Sequence, residues 1–176
     1  DVTDRAALRG LLDGRDRDGL PVVRGLFHAA GVIGYQPLSD VSGADVSRGV
    51  EAKIAGGWAL HEVLSGRHLD MFVLFSSGSA VLGSPMLGVY AAGNAFLDAL
   101  AAYRRAKGLP ATTVNWGYWN QVGMVARKQE EEQRSLVPRG MSSFSPQDGL
   151  AALEHVLVCG IDEVVVLPAD WRQWGA

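Results

Sequence analysis

The chain has 176 residues, of which 48% are hydrophobic and 20% charged, and its net charge is -3. That is the length and composition of one packed domain, which argues against disorder, and so mild an acidic balance gives no electrostatic case for nucleic acid or an anionic membrane as partner. Its single cysteine, Cys159, excludes an internal disulfide framework and a cysteine-only metal site.

Asp1 to Arg17 alternates charged with apolar residues, unlike a secretory signal, and no apolar run reaches the roughly eighteen residues of a membrane span. A cytoplasmic location is therefore expected. The chain opens at Asp1-Val2-Thr3-Asp4 without an initiator methionine and reads as a piece that begins within a longer protein.

In chain order, Thr3 and Asp4 precede the apolar-periodic residues Ala7, Leu8, Leu11 and Leu12, which predicts a capped helix ending around Gly14. Pro21 to Ala30 is an apolar run bounded by Pro and Gly, read as a buried strand, and Gly31 to Gly43 as a loop. Ala44 to Leu64 predicts a long amphipathic helix, with Val46, Val50, Ile54, Trp58, Leu60 and Val63 on or near its apolar face. Met71 to Ser76 is a second buried strand, and Val89 to Ala106 a second long helix. Ala111 to Trp116 predicts a third strand, Pro146 to Cys159 a helix capped by Ser145, and Glu163 to Leu167 a fourth strand.

Strands alternating with long helices, and apolar on both faces, define an α/β fold with a parallel, doubly wound sheet. Four strands make half to two-thirds of such a nucleotide-binding domain. The segment Tyr118 to Phe144 breaks the alternation and contains the charge run Arg127 to Arg134. A loop that long is read as a lid at about 118–145, and the charge run as a solvated helix face.

Most catalytic motifs are absent. There is no Gly-x-Gly-x-x-Gly, no Walker loop and no Gly-x-Ser-x-Gly. The histidines His28, His61, His68 and His155 lack ligand spacing, so no metal is expected.

One constellation remains. Ser77 follows a buried strand, Tyr90 begins a helix, and Asn94 lies four residues further on the same helix face. Lys53, in the preceding helix, is the only lysine before Arg105. A phenol donates a proton usefully near neutral pH if its pKa, about 10 when free, is lowered, and an ammonium nearby does that. A serine hydroxyl beside it can bond a carbonyl oxygen as charge develops, while an asparagine can hold the lysine or a water. By spacing alone, Tyr90 could equally start a helix and pack, Ser77 end a strand, and Asn94 satisfy backbone groups.

The stretches FHAAGV (27–32), MFVLFSSGSAVLGSPMLGVYAAGNAFLDALAAYRRAKGLPATTVNWGYW (71–119) and SPQDGLAALEHVL (145–157) closely resemble ketoreductase domains of bacterial modular type I polyketide synthases. Those domains belong to the short-chain dehydrogenase/reductase family, whose fold is Rossmann-like. The resemblance covers nearly the whole chain. Tyr-x-x-x-Asn, with lysine from an earlier helix, is characteristic of these domains, whereas ordinary short-chain dehydrogenases have Tyr-x-x-x-Lys.

The resemblance implies that Tyr90 donates the proton, Ser77 bonds the keto oxygen, Lys53 tunes the tyrosine and Asn94 partners the lysine. It implies cofactor contacts from Asp1 and Val2 at the adenine, from Ala29, Ala30 and Gly31 near the ribose, and from Ser76. Asn115, Trp116, Gly117, Tyr118 and Trp119 would lie beside the nicotinamide. Leu82, Met86 and Met124 would face the substrate or belong to its lid. The implied reaction is hydride transfer from NADPH to the β-keto group of an acyl thioester, held by phosphopantetheine on an acyl carrier protein.

Two departures bear on the alcohol configuration, which stays open. Ile33-Gly34-Tyr35 stands where many members have Leu-Asp-Asp, and Leu82 where others have Trp. The family's glycine-rich phosphate loop and its 2′-phosphate arginine precede the first residue. The chain is therefore expected to be the C-terminal part of a reductase domain, incomplete at the N-terminal side of its sheet and partnered by an upstream half. A catalytically silent reductase-like domain of a synthase and a free short-chain alcohol dehydrogenase are the alternative readings.

Overall fold

The computed structural model describes residues 1–122 and 140–174. The expected lid residue Met124 and the charge run Arg127 to Arg134 lie outside the described residues.

Helix α1 (Arg5–Arg17) starts at Asp4, whose side chain accepts from the Ala7 amide at 2.9 Å. It runs three residues past the expected stop at Gly14. The true stop is Gly19, at φ 65°, with Leu20 N–H donating to Arg15 O and Gly19 N–H to Asp16 O. This closure needs a residue in the left-handed region, which glycine adopts without strain.

The strands β1 (Gly25–His28), β2 (Met71–Ser77), β3 (Thr112–Trp116) and β6 (Glu163–Val166) form one parallel sheet in the order β1-β2-β3-β6. The crossovers are α2 (Gly43–Leu64), α4 (Gly88–Ala106) and α5 (Pro146–Val158). The parallel α/β fold expected from the alternation is the fold observed.

Side-chain alternation sorts the central strand between two cores. Phe72 and Leu74 of β2 join Leu60, Leu64, Leu97 and Leu100 on the α2/α4 face. Val73 joins Val114, Trp116, Phe144 and Val156 on the α5 face. Every one of these residues is less than a tenth exposed. Each fully buried Leu or Phe contributes roughly 1.5–3 kcal/mol of hydrophobic stabilisation.

Two sequence expectations need correction. The strand expected from Pro21 to Ala30 is shorter: only Gly25–His28 pairs, with β2. Helix α2 buries only part of the face that apolar periodicity picked out: Leu60 is buried and Trp58 and Val63 pack on the core, but Val46 is 42% exposed, and Lys53, Gly56, Gly57, His61 and Leu64 are the other residues that face inward. Glycine explains the difference. A Cβ on Gly49 would stand 2.6 Å from Val89 Cγ1, and one on Gly57 3.1 Å from Leu97 Cδ2. The face without side chains is the one that lets α2 lie close on α4.

Four small elements were not expected. Helix α3 (Gly78–Leu82) follows β2 directly, and a short helix α6 spans Trp171–Trp174. Strands β4 (Tyr118–Trp119) and β5 (Ser143–Phe144) pair in parallel, joining the two described ends of the expected lid segment. The loop at 31–43 contains one 3-10 turn at Leu38–Asp40. As expected, Ser145 caps α5, in a reciprocal capping box with Asp148. Among the described residues, no helix is long and apolar enough to cross a membrane.

Candidate active site

The carboxyl ends of the strands open onto a cavity of about 350 Å³. This is where ligands enter open α/β sheets, and the volume lies within the range of small-molecule sites. Lys53, Ser77 and Tyr90 all line it, from three different elements.

Lys53 arrives from the middle of α2, and its residue is only 3% exposed. Two glycines make the channel for its stem. A Cβ on Gly31 would meet Lys53 Cε at 2.9 Å, and one on Gly93 would meet Cδ at 3.4 Å. At the end of the channel, Nζ donates to the Phe75 carbonyl at 3.1 Å and lies 5.7 Å from the centre of the Tyr90 ring. Burial pushes its pKa down to about 8, against the pull of Asp98. It is therefore mostly protonated at neutral pH and titrates just above it.

Tyr90 stands in the first turn of α4 and lines the cavity. Burial raises its pKa, and hydrogen bonding from Asn94 and Ser77 pulls it back. The balance differs from a phenol drawn below 10 by lysine: desolvation is the larger effect. The phenol is thus held protonated, the form that can donate.

Ser77 is the last residue of β2 and the cap of α3, where its Oγ accepts from the Ser79 amide at 3.2 Å and from the Ser79 hydroxyl at 3.0 Å. With its Oγ an acceptor from α3, its own proton points to the cavity side, where it serves the Tyr90 oxygen and can be shared with a ligand oxygen. Asn94 is fully buried one turn below Tyr90. Its Nδ2 donates to the Tyr90 carbonyl at 2.8 Å, while its Oδ1 has no partner among the described residues. Ser76 and Asn115 lie beside it, both nearly inaccessible, and Ser76 Oγ donates to the Asn94 carbonyl at 3.2 Å.

The cavity wall also takes in Ala29, Ser76, Leu82, Trp116, Gly117, Tyr118 and Trp119 from the expected set. Asn94 and Asn115 do not reach the wall; they form the polar layer beneath it. Ala30 and Gly31 are not among the lining residues either, although Gly31 shapes the lysine channel. Met86 lines a second, smaller cavity of about 190 Å³ that shares Ile33 and Tyr90 with the first. It has φ 66°, and its carbonyl accepts from Gln36 N–H at 3.0 Å, tying it to the segment with the sequence departure. Asp1 and Val2 line neither cavity. The Asp1 carboxylate accepts from Thr3, and Val2 packs on Gly56 of α2.

Several lining residues were missed. Tyr35, noted only as a departure, borders the cavity, and burial pushes its phenol up to about 12. Met141 and Leu167 arrive from beyond β4 with no local pattern to announce them. Asp98, which lies outside the lining, continues the helical row Tyr90, Asn94, Asp98 and was legible by spacing.

Comparison with known proteins identifies the family and the fold. The KR domain family matches residues 1–121. Polyketide synthase GfsA from Streptomyces halstedii is 40% identical over 174 residues, which are 99% of this chain and 2% of that protein. Among solved structures, PlmKR1, the ketoreductase from the first module of phoslactomycin biosynthesis in Streptomyces sp. HK803, superposes with a TM-score of 0.89 at 38% identity, over 99% of this chain and 40% of that one. A-type ketoreductases from a modular polyketide synthase give 0.90 at 38% identity, over 99% and 36%.

With two-thirds of its length inside that family match and its whole fold superposed on such domains, the chain belongs to the ketoreductase (KR) domain family of polyketide synthases. It spans well under half the length of these relatives.

Proposed function

We propose that the chain is the catalytic part of an NADPH-dependent β-ketoacyl reductase, reducing the β-keto group of an acyl chain on the phosphopantetheine arm of an acyl carrier protein. The observation behind this reading is the convergence of Lys53, Ser77 and Tyr90 on one cavity at the strand ends. The glycine-rich phosphate loop belongs, on this reading, to an upstream part of the same domain, and residues 118–145 to a lid.

The residues present suit a nicotinamide nucleotide. Small side chains, Ala29, Gly78 and Gly117, follow the ends of β1, β2 and β3, and the flat rings of Phe75 and Trp116 line the same space. Ala29 and Lys53 would hold the ribose side, and Trp116, Gly117 and Tyr118 the ring side. When bound, the cofactor supplies the hydride that the keto carbon accepts. Ser77 orients the keto oxygen, and Tyr90 gives it the phenolic proton, leaving a β-hydroxyl. Lys53, charged below about pH 8, steadies the phenolate that results. The apolar residues Leu82, Leu87, Trp119 and Val122 exclude water from this exchange.

The test is oxidation of NADPH by the intact reductase on a β-ketoacyl thioester, run beside NADH and beside a diffusible ketone. Preferential use of NADPH with the thioester, and a β-hydroxyacyl product, is the expected result. Equal turnover of the free ketone would favour a free alcohol dehydrogenase, and cofactor binding without turnover a silent structural domain.

A further inference from the structure

Helix α5 carries a single glycine, Gly149, at a position where alanine would suit the helix better. Its backbone stays out of the left-handed region, so conformational freedom does not account for it. Space does. A Cβ on Gly149 would stand 2.4 Å from Trp119 Cη2, 2.5 Å from Trp119 Cζ3 and 2.9 Å from Phe144 Cε2. Ser145 caps α5, so Phe144 is the residue before the cap and Gly149 the fourth of the helix. In a hydrophobic staple those two positions pack side chain on side chain. Here the Trp119 indole takes the room that a side chain at 149 would fill.

The same indole is part of the main cavity's wall, whereas Gly149 and Phe144 are not. Its ring centre lies 4.9 Å from that of Trp116 and 4.8 Å from that of Phe144, and both of those residues are less than a tenth exposed. The backbone under the ring is held as well. Trp119 pairs with Phe144 in the β4–β5 register, and Asn120 N–H donates to Phe144 O at 3.0 Å. Packed aromatic rings yield little to one another. A push from residue 149 therefore has one open side to go to, the cavity. We propose that Gly149 is a positioning residue that sets the size of acyl chain the reductase accepts: having no side chain, it lets the Trp119 indole draw back onto α5, and that leaves room for a long apolar chain beside Leu82, Leu87 and Val122.

The inference rests on the reductase reading, and its test separates the two. Gly149→Ala in the intact reductase would be assayed with a short-chain and a long-chain β-ketoacyl thioester, and its crystal structure compared with that of the wild type. One methyl group's worth of room in an apolar pocket decides about tenfold in kcat/KM. For the long-chain thioester kcat/KM should fall by about that factor, through KM, while kcat and the short-chain constants are nearly unchanged. The structure should show the indole displaced into the cavity and α5 in its place. Trp119→Phe removes Cη2 and Cζ3, the ring atoms nearest residue 149. Added to Gly149→Ala, it should return the long-to-short ratio of kcat/KM towards that of the wild type.

Equal losses on the two thioesters overturn the inference alone, since that is what a merely structural role would give. So does an α5 that moves away while Trp119 keeps its place. If Gly149→Ala does not fold, Trp119→Phe by itself carries the test: it widens this side of the cavity and should raise the long-to-short ratio, and an unchanged ratio overturns the inference. A displaced indole in a protein whose wild type reduces no ketone would instead overturn the reductase reading and leave the packing link between Gly149 and Trp119 standing.

Discussion

Two cations are buried between α2 and α4, and they do different things. Lys53 is 3% exposed and Arg104 1%. Arg104 lies near the far end of α4. Its guanidinium stacks 3.7 Å above the Phe72 ring, donates from Nε to Pro110 O at 3.1 Å and meets His61 Nδ1 at 3.0 Å. Those contacts lock the loop after α4 to the core. Burial lowers both pKa values, Lys53 to about 8 and Arg104 to about 10. An arginine at that value stays charged in any physiological medium, whereas a lysine near 8 sits where small changes matter. Burial of a charge is therefore no signature of a site. What sets Lys53 apart is an open cavity onto which hydroxyl groups converge.

That contrast can be broken by substitution. The largest effect belongs to Tyr90→Phe, which removes the proposed donor and leaves the ring. Turnover should fall about 10²–10⁴-fold in steady-state assays, with cofactor binding by fluorescence unchanged. Lys53→Ala comes next, at roughly 10²-fold slower. Its pH–rate profile should also move: the basic limb no longer follows an ammonium of pKa about 8 but a phenol that burial holds above its ordinary 10, so it shifts to higher pH. Arg104→Ala should do the reverse, lowering stability in urea melts by roughly 2–4 kcal/mol through lost packing and hydrogen bonds. Its pH–rate profile should stay in place; if that profile moved as it does in Lys53→Ala, the two cations would not be separable. The smallest effect is expected of Gly31→Ala, whose Cβ would push on Lys53 Cε from 2.9 Å. Because a flexible side-chain end can yield, stability should change by less than about 1 kcal/mol, while turnover drops several-fold.

The same two helices show how far the residues alone could be read. Helix α4 was legible because its apolar positions recur at helical spacing and no glycine interrupts the buried row except at Gly93. Helix α2 had its limits right, but its buried face was only partly readable from hydrophobic periodicity, because Gly49 and Gly57 bring it onto α4 and Gly56 lets Val2 pack on it by having no side chains. Strand β1 is shorter than its apolar run because apolarity alone does not mark where ladder pairing stops, and only Gly25–His28 pairs with β2. In the candidate site, Tyr90 and Asn94 were readable from spacing and Ser77 from its place after a strand. Lys53 was readable as the only lysine ahead of Arg105. Met141 and Leu167 reach the cavity from the far side of the chain, a long-range packing result that no local pattern encodes.

The most direct test of the central claim is transfer of label. The intact reductase would be given NADPH deuterated at the reactive position together with a β-ketoacyl thioester, and the acyl product analysed by mass spectrometry. The account predicts a single deuterium at the β-carbon of a hydroxyacyl product in the wild type, and the same label arriving about 10²–10⁴-fold more slowly in a Tyr90→Phe protein that still binds the cofactor. Unlabelled product, or label transfer at the wild-type rate in Tyr90→Phe, would contradict it.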